Sequence, residues 1–134
     1  MTSLVINAGN NTFYNIYVLA SPDFTEKNKE ILMSVEKNYT DHCKIFFINM
    51  GNKFLGKDTN FRIPIATYYR LDLHNLLPDV DRIIYLDGDT AVFQDLSDLI
   101  FLDMKGNYIL GYLDSDPNAL KKYKIKNAVV YVQE

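Results

Sequence analysis

One cysteine, Cys43, stands in the 134 residues of the chain. An internal disulfide and a cysteine-based zinc cluster are therefore excluded, and the composition fits a reducing compartment. A basic excess is also missing. The 14 Lys and Arg against 17 Asp and Glu give a formal net charge of −3, which argues against a nucleic-acid partner, whose electrostatic footprint is positive. No apolar stretch approaches the ~20 residues needed to span a bilayer. The longest, such as Ile45-Phe46-Phe47-Ile48, are strand-sized. Met1 to Gly9 hold no basic residue and too short an apolar core for a secretory signal. The expected location is the cytoplasm. There is no internal repeat, low-complexity tract or linker, so one domain over residues 1–134 is expected.

What the chain does have is apolar and aromatic material. Forty-eight per cent of it is hydrophobic, with 10 Tyr and 8 Phe, which excludes a disordered tail and allows a buried core. Short apolar runs alternate with helix-like segments. Tyr14 to Leu19 and Lys44 to Asn49 read as buried strands. Between them Ser21-Pro22 predicts a helix start. Phe24, Asn28, Ile31, Leu32, Val35 and Tyr39 then share one side of an amphipathic helix. Gly51 to Asn60 reads as a loop. Ile65, Ala66, Tyr69, Leu73 and Leu76 repeat at helical spacing up to Pro78. Arg82 to Leu86 predicts a third strand and Thr90 to Phe93 a fourth. Asp95 to Ile100 predicts a single helical turn. Tyr108 to Leu113 and Ala128 to Val132 complete the strand candidates. Ser3 to Ala8 reads as the last turn of a helix with Gly9 as its left-handed terminator. This alternation predicts a mostly parallel α/β sheet covered on both faces. Both ends look cut, since the chain opens inside a helix and closes directly after an apolar strand. The run Lys121 to Lys126 is either a solvated face or a phosphate- or membrane-attracting patch.

The candidate chemistry lies in Ile83-Ile84-Tyr85-Leu86-Asp87-Gly88-Asp89. Two carboxylates at i and i+2 follow an apolar run, at the strand edge where open α/β sheets bind ligands. Gly88 between them lets the backbone turn and a ligand approach closely. Hard oxygen donors without a neighbouring His or Cys favour Mn²⁺ or Mg²⁺ over zinc or copper. A cation held there would neutralise a diphosphate. The competing reading is a plain turn, which Asp and Gly also favour.

The wider pattern decides between them. Thr67-Tyr68-Tyr69-Arg70-Leu71 is followed by Leu76-Leu77-Pro78, then Asp81-Arg82-Ile83-Ile84-Tyr85-Leu86-Asp87-Gly88-Asp89, then Asp95-Leu96-Ser97-Asp98-Leu99. This resembles glycosyltransferase family 8, retaining enzymes that use nucleotide-sugar donors and whose bacterial members include lipopolysaccharide galactosyl- and glucosyltransferases. Tyr14 to Leu19 looks like the family's second strand, and Asn7-Ala8 like the end of its first helix.

The resemblance implies a Rossmann-like nucleotide-diphospho-sugar transferase fold, here truncated at both ends. It implies Mn²⁺ (or Mg²⁺) and diphosphate at Asp87 and Asp89, with Asp87 also near the ribose. It implies Arg70 at the donor, where a guanidinium suits phosphate or a carboxylate. On spacing alone Arg70 reads as a surface arginine. Asp114, in Tyr112-Leu113-Asp114, would hydrogen-bond the donor sugar, and Asn127 would reach the sugar hydroxyls. Val129 stands where the family has glycine. The family's first strand and its late His-x-x-Gly-x-x-Lys segment are not in the sequence, and His42 and His74 match neither.

The activity so implied is transfer of a hexose from a UDP-sugar to a hydroxyl of a glycan or lipopolysaccharide, weak or absent in this chain alone. A C-terminal part beyond the chain could bring peripheral association with the inner face of the membrane. No side chain reads as a nucleophile or general base. Two rivals stand beside this reading. A phosphatase of the haloacid-dehalogenase type would use Asp87 in an Asp-x-Asp-x-Thr/Val motif, whose fifth position here is Ala91. A remnant module would bind ion or nucleotide without turnover.

Overall fold

The computed structural model describes residues 1–54, 64–112 and 130–131. The chain forms two compact units, Met1–Ile100 and Phe101–Glu134. In the first, α1 (Thr2–Ile6) leads into β1 (Tyr14–Ala20), α2 (Glu26–Asn38) and β2 (Cys43–Asn49). After residue 63 come α3 (Ala66–Tyr69), a 3₁₀ turn (Arg70–Asp72), α4 (Leu73–Leu76) and α5 (Ser97–Ile100). The second unit contains β3 (Gly111–Tyr112) and β4 (Val130–Tyr131), a parallel pair with Gly111 opposite Val130.

β1 and β2 are the aromatic and β-branched runs YNIYVLA and CKIFFIN. They pair in parallel from Tyr14 opposite Cys43 to Ala20 opposite Asn49, joined through α2 as parallel neighbours require. Tyr14 N–H donates to the His42 carbonyl at 2.8 Å, and Met50 N–H donates to the Ala20 carbonyl at 2.9 Å, so the ladder is closed at both ends. Phe24 and Phe47 meet with ring centres 6.0 Å apart, and Lys29 Nζ lies 5.7 Å from the Phe47 ring centre. Tyr17 and Phe46, directly opposite each other, point to the other face and stack at 5.0 Å. The core is built from Leu4 and Val5 of α1, Cys43 and Ile45 of β2, then Met50, Tyr69 and Val92. This is the expected α/β class, with a parallel register.

Several local expectations change. The helix after β1 begins at Glu26, not at Ser21-Pro22. Thr25 is its N-cap, accepting the Asn28 N–H at 3.2 Å, while Ser21 spends its hydroxyl on Asp23. Ile31, assigned to the buried side of α2, is 56% exposed. The Ile65–Leu76 helix is broken by the 3₁₀ turn at Arg70–Asp72. The single turn expected at Asp95 starts at Ser97.

Gly9 is not a left-handed terminator, since only Gly51 and Gly106 among the described glycines have positive φ. Asn7 caps α1 instead. Gly9 is required for room: a Cβ there would lie 2.6 Å from Asp95 Oδ2.

Neither Arg82–Leu86 nor Thr90–Phe93 is a strand. The ladders among the described residues, β1 with β2 and β3 with β4, do not include Arg82–Leu86, and Ile83, Tyr85 and Leu86 stay 43%, 37% and 38% exposed. A β-prone run becomes a strand only where a neighbour takes its backbone groups and covers its side chains. At Thr90–Phe93 side chains of α1 take that place. Ser3 Oγ accepts the Val92 N–H at 3.0 Å, and Asn7 Nδ2 donates to the Val92 carbonyl at 3.1 Å. Of the Tyr108–Leu113 candidate only Gly111–Tyr112 is paired among the described residues.

Candidate functional site

The Asp87-Gly88-Asp89 segment forms a tight turn, closed by the Thr90 N–H on the Asp87 carbonyl at 3.0 Å. All three residues are exposed. A Cβ at Gly88 would meet nothing within 4 Å, so open space lies beside the backbone between the two carboxylates. The turn makes no demand for positive φ at Gly88.

Arg70 reaches this turn from the 3₁₀ segment. Its Nη2 donates to Asp87 Oδ1 at 3.0 Å. Its Nε donates to the Thr67 carbonyl at 3.1 Å, which fixes the root of the guanidinium on its own helical turn. The guanidinium carbon lies 4.2 Å from the centre of the Tyr85 ring, within the range of a cation–π contact. The Tyr85 hydroxyl is held above its usual pKa by partial desolvation, partly opposed by Arg70 and reinforced by Asp87.

The element that carries Arg70 is itself anchored. Tyr69 is buried, and Phe54 stands 6.1 Å and 6.3 Å from the rings of Tyr68 and Tyr69. Lys53 pairs with Asp72, whose second oxygen accepts Asn75 Nδ2 at 2.8 Å. These bonds, Asn75 first and then Lys53, hold the Asp72 carboxyl below its ordinary range. A cavity of about 260 Å³ lies alongside, lined by Ser21, Asp23, Lys53, Ile65 and Tyr69 among others.

Behind the turn sits a residue that spacing alone did not single out. Asp95 accepts the Gly9 N–H at 3.1 Å, the Thr12 hydroxyl at 2.5 Å, the Tyr14 hydroxyl, and the Ser97 N–H and hydroxyl at 3.1 and 3.0 Å. The Leu96 N–H in turn donates to the Tyr14 oxygen at 2.9 Å. Thr12 and Tyr14 lead the causes that drive the Asp95 carboxyl far below its usual range. The available signal was Asp95-Leu96-Ser97, an aspartate two residues before a backbone N–H that it can accept, as in an Asx turn. Its partners at residues 9, 12 and 14 leave no local trace.

The structure thus brings Arg70, Asp87, Gly88 and Asp89 to one exposed turn. Asp114, Asn127 and the Lys121–Lys126 run lie outside the described residues. His42 is a backbone partner, with Nδ1 3.1 Å from the Thr12 carbonyl oxygen, and His74 is exposed on α4. Among the described residues no three His, Cys, Asp or Glu side chains gather to hold a metal ion. Two exposed carboxylates nonetheless suit a hard cation that fills its remaining positions with water and phosphate oxygens, as Mg²⁺ commonly does. The donor set fits a cation shared with a diphosphate, and does not fit a closed, all-protein site.

No solved structure matches the chain. A Haemophilus influenzae protein that carries the provisional name of glycosyltransferase is 28% identical over 114 residues. The alignment covers 81% of this chain and 34% of that protein, so the chain spans about a third of the length of the curated relative it matches. The profile described as Glycosyl transferase family 8 matches residues 1–132. With nearly its whole length matched, the chain belongs to glycosyl transferase family 8.

Proposed function

We propose that this chain supplies the diphosphate-binding turn of a retaining glycosyltransferase, which moves a hexose from a UDP-sugar to a hydroxyl of a glycan such as lipopolysaccharide. The observation that carries the reading is the contact of Arg70 Nη2 with Asp87 Oδ1 at 3.0 Å, beside the exposed Asp89. A cationic fork and two carboxylates at one open turn form a mixed-charge site. Such a site suits a cation–diphosphate pair better than a bare anion or a neutral sugar.

In this reading Asp87 and Asp89 hold Mn²⁺ or Mg²⁺. When bound, the cation supplies charge neutralisation to the departing diphosphate. Arg70 offers its N–H groups to the phosphates, and the space beside Gly88 lets the donor approach the backbone. Asp114 and Asn127 are proposed for the donor sugar. Location in the cytoplasm, at the inner face of the membrane where a lipopolysaccharide acceptor is built, belongs to the same proposal.

Calorimetric titration with Mn²⁺ and then UDP tests the site, and incubation with UDP-galactose or UDP-glucose tests the chemistry. Binding that falls at least tenfold in Asp87→Asn and Asp89→Asn is expected, because each change removes a charged donor worth over ~1.4 kcal/mol. Unchanged affinity in both variants would sink the reading.

A further inference from the structure

We infer that Arg70 is a counter-ion latch on Asp87, so that the turn takes up a divalent cation together with a diphosphate rather than the cation alone. The inference rests on the donor-site reading above and adds a coupling to it.

Arg70 has its Nε committed to the Thr67 carbonyl, its guanidinium carbon 4.2 Å from the centre of the Tyr85 ring, and its Nη2 on Asp87. A cation approaching Asp87 therefore meets a fixed positive charge already using one carboxylate oxygen. Among the described residues no third protein donor joins the two carboxylates, and two alone hold such an ion weakly even when both are free. With Arg70 in place, the bare ion must share Asp87 and bear the repulsion of the guanidinium as well.

A diphosphate changes that balance. Its negative charges can pair with the ion and with the guanidinium at once, so Arg70 gains a second partner only when the anion is present. The pair is built to exchange rather than to lock. The side chains of Arg70 and Asp87 are 37% and 60% exposed, and ion pairs at such exposure are weak. The Thr67 and Tyr85 contacts keep the guanidinium beside the turn after it leaves the carboxylate. The affinity of the site for its cation thus depends on the anion that accompanies it.

The test is Mn²⁺ binding to the full chain without nucleotide, read from the electron paramagnetic resonance of the free ion. Arg70→Met, which removes the charge, is expected to bind Mn²⁺ about three- to tenfold more tightly than the unsubstituted chain. Arg70→Lys, which keeps the charge, is expected to stay within about twofold. If circular dichroism shows Arg70→Met unfolded, Arg70→Gln takes its place. Affinity in the folded neutral variant that is equal to or weaker than that of the unsubstituted chain overturns the latch, as does no measurable binding to that variant at millimolar Mn²⁺. Asp87→Asn is the separate control. Mn²⁺ affinity unchanged by that substitution would show the ion is not at this turn, and would overturn the donor-site reading and the latch together.

Discussion

Asp95 is where a single side chain decides most. Its two oxygens collect donors from Gly9, Thr12, Tyr14 and Ser97, so the start of β1 and the segment after the Asp-Gly-Asp turn are tied through one carboxylate. Hydrogen bonds to an ionised group contribute about 1.5–3 kcal/mol each at most, and several share this one. Asp95→Ala is expected to lower stability by about 3 kcal/mol in urea unfolding at pH 7. The pH dependence follows from the direction of the shift. The folded carboxyl titrates far below its unfolded value of about 3.9, so the unfolded chain binds the proton first. The stabilisation is complete above about pH 4 and fades as pH falls toward the folded pKa. The gap in melting temperature between the unsubstituted chain and Asp95→Asn should therefore narrow steadily below pH 4. A gap that is constant from pH 7 to 3 would refute this. Gly9 belongs to the same device. Gly9→Ala would push a methyl to 2.6 Å from Asp95 Oδ2, an overpacking expected to cost about 1–3 kcal/mol.

At the scale of elements, the start of α2 separates pattern from mechanism. Ser-Pro is a fair start signal, but the cap is whichever side chain reaches an orphan N–H, and that is Thr25 on Asn28. Thr25→Ala should lower stability by about 1 kcal/mol. Ser21→Ala, which touches no helical N–H, should change it by less than about 0.5 kcal/mol, as thermal unfolding of the two variants will show. β1, α2 and β2 were legible because each is defined by its own run of residues: alternation or continuity of apolar side chains fixes the element, and the βαβ order fixes the parallel pairing. Arg82–Leu86 has the composition of a strand, yet strand formation also depends on a neighbour that composition does not name. The break at Arg70–Asp72 was equally hidden, because Ile65 to Leu76 keep helical spacing through it. The candidate turn was legible in part. Asp87, Gly88 and Asp89 are adjacent in sequence and announce themselves. The contact of Arg70 with Asp87 spans seventeen positions; spacing alone reads Arg70 as a surface arginine, and only the family resemblance puts both residues at the donor.

At the scale of the Met1–Ile100 unit, the buried residues come from its whole length: Leu4 and Val5 near one end, Cys43, Ile45 and Met50 in the middle, Tyr69 and Val92 toward the other. A core assembled from such distant positions should open as one cooperative body, with no segment able to keep its apolar side chains covered alone. Cys43 provides the reporter. It is 2% exposed, and burial, reinforced by the Glu36 carboxylate, holds its thiol above the ordinary pKa. The reactive thiolate is thus scarce in the folded chain as well as covered. Its reaction with a maleimide or disulfide reagent at pH 7 should proceed only through opening of the core, and its rate should follow the open population. Val92→Ala removes two buried methyl groups almost fifty positions away from Cys43, at a cost of about 2 kcal/mol. Labelling of Cys43 should then accelerate by about 30-fold, a factor of ten for each 1.4 kcal/mol, when reclosing outpaces the reagent. Asp89→Asn, a change at an exposed turn, should leave the rate within about twofold. Equal labelling rates in Val92→Ala and the unsubstituted chain would mean that β2 opens on its own, and that the core is two cores.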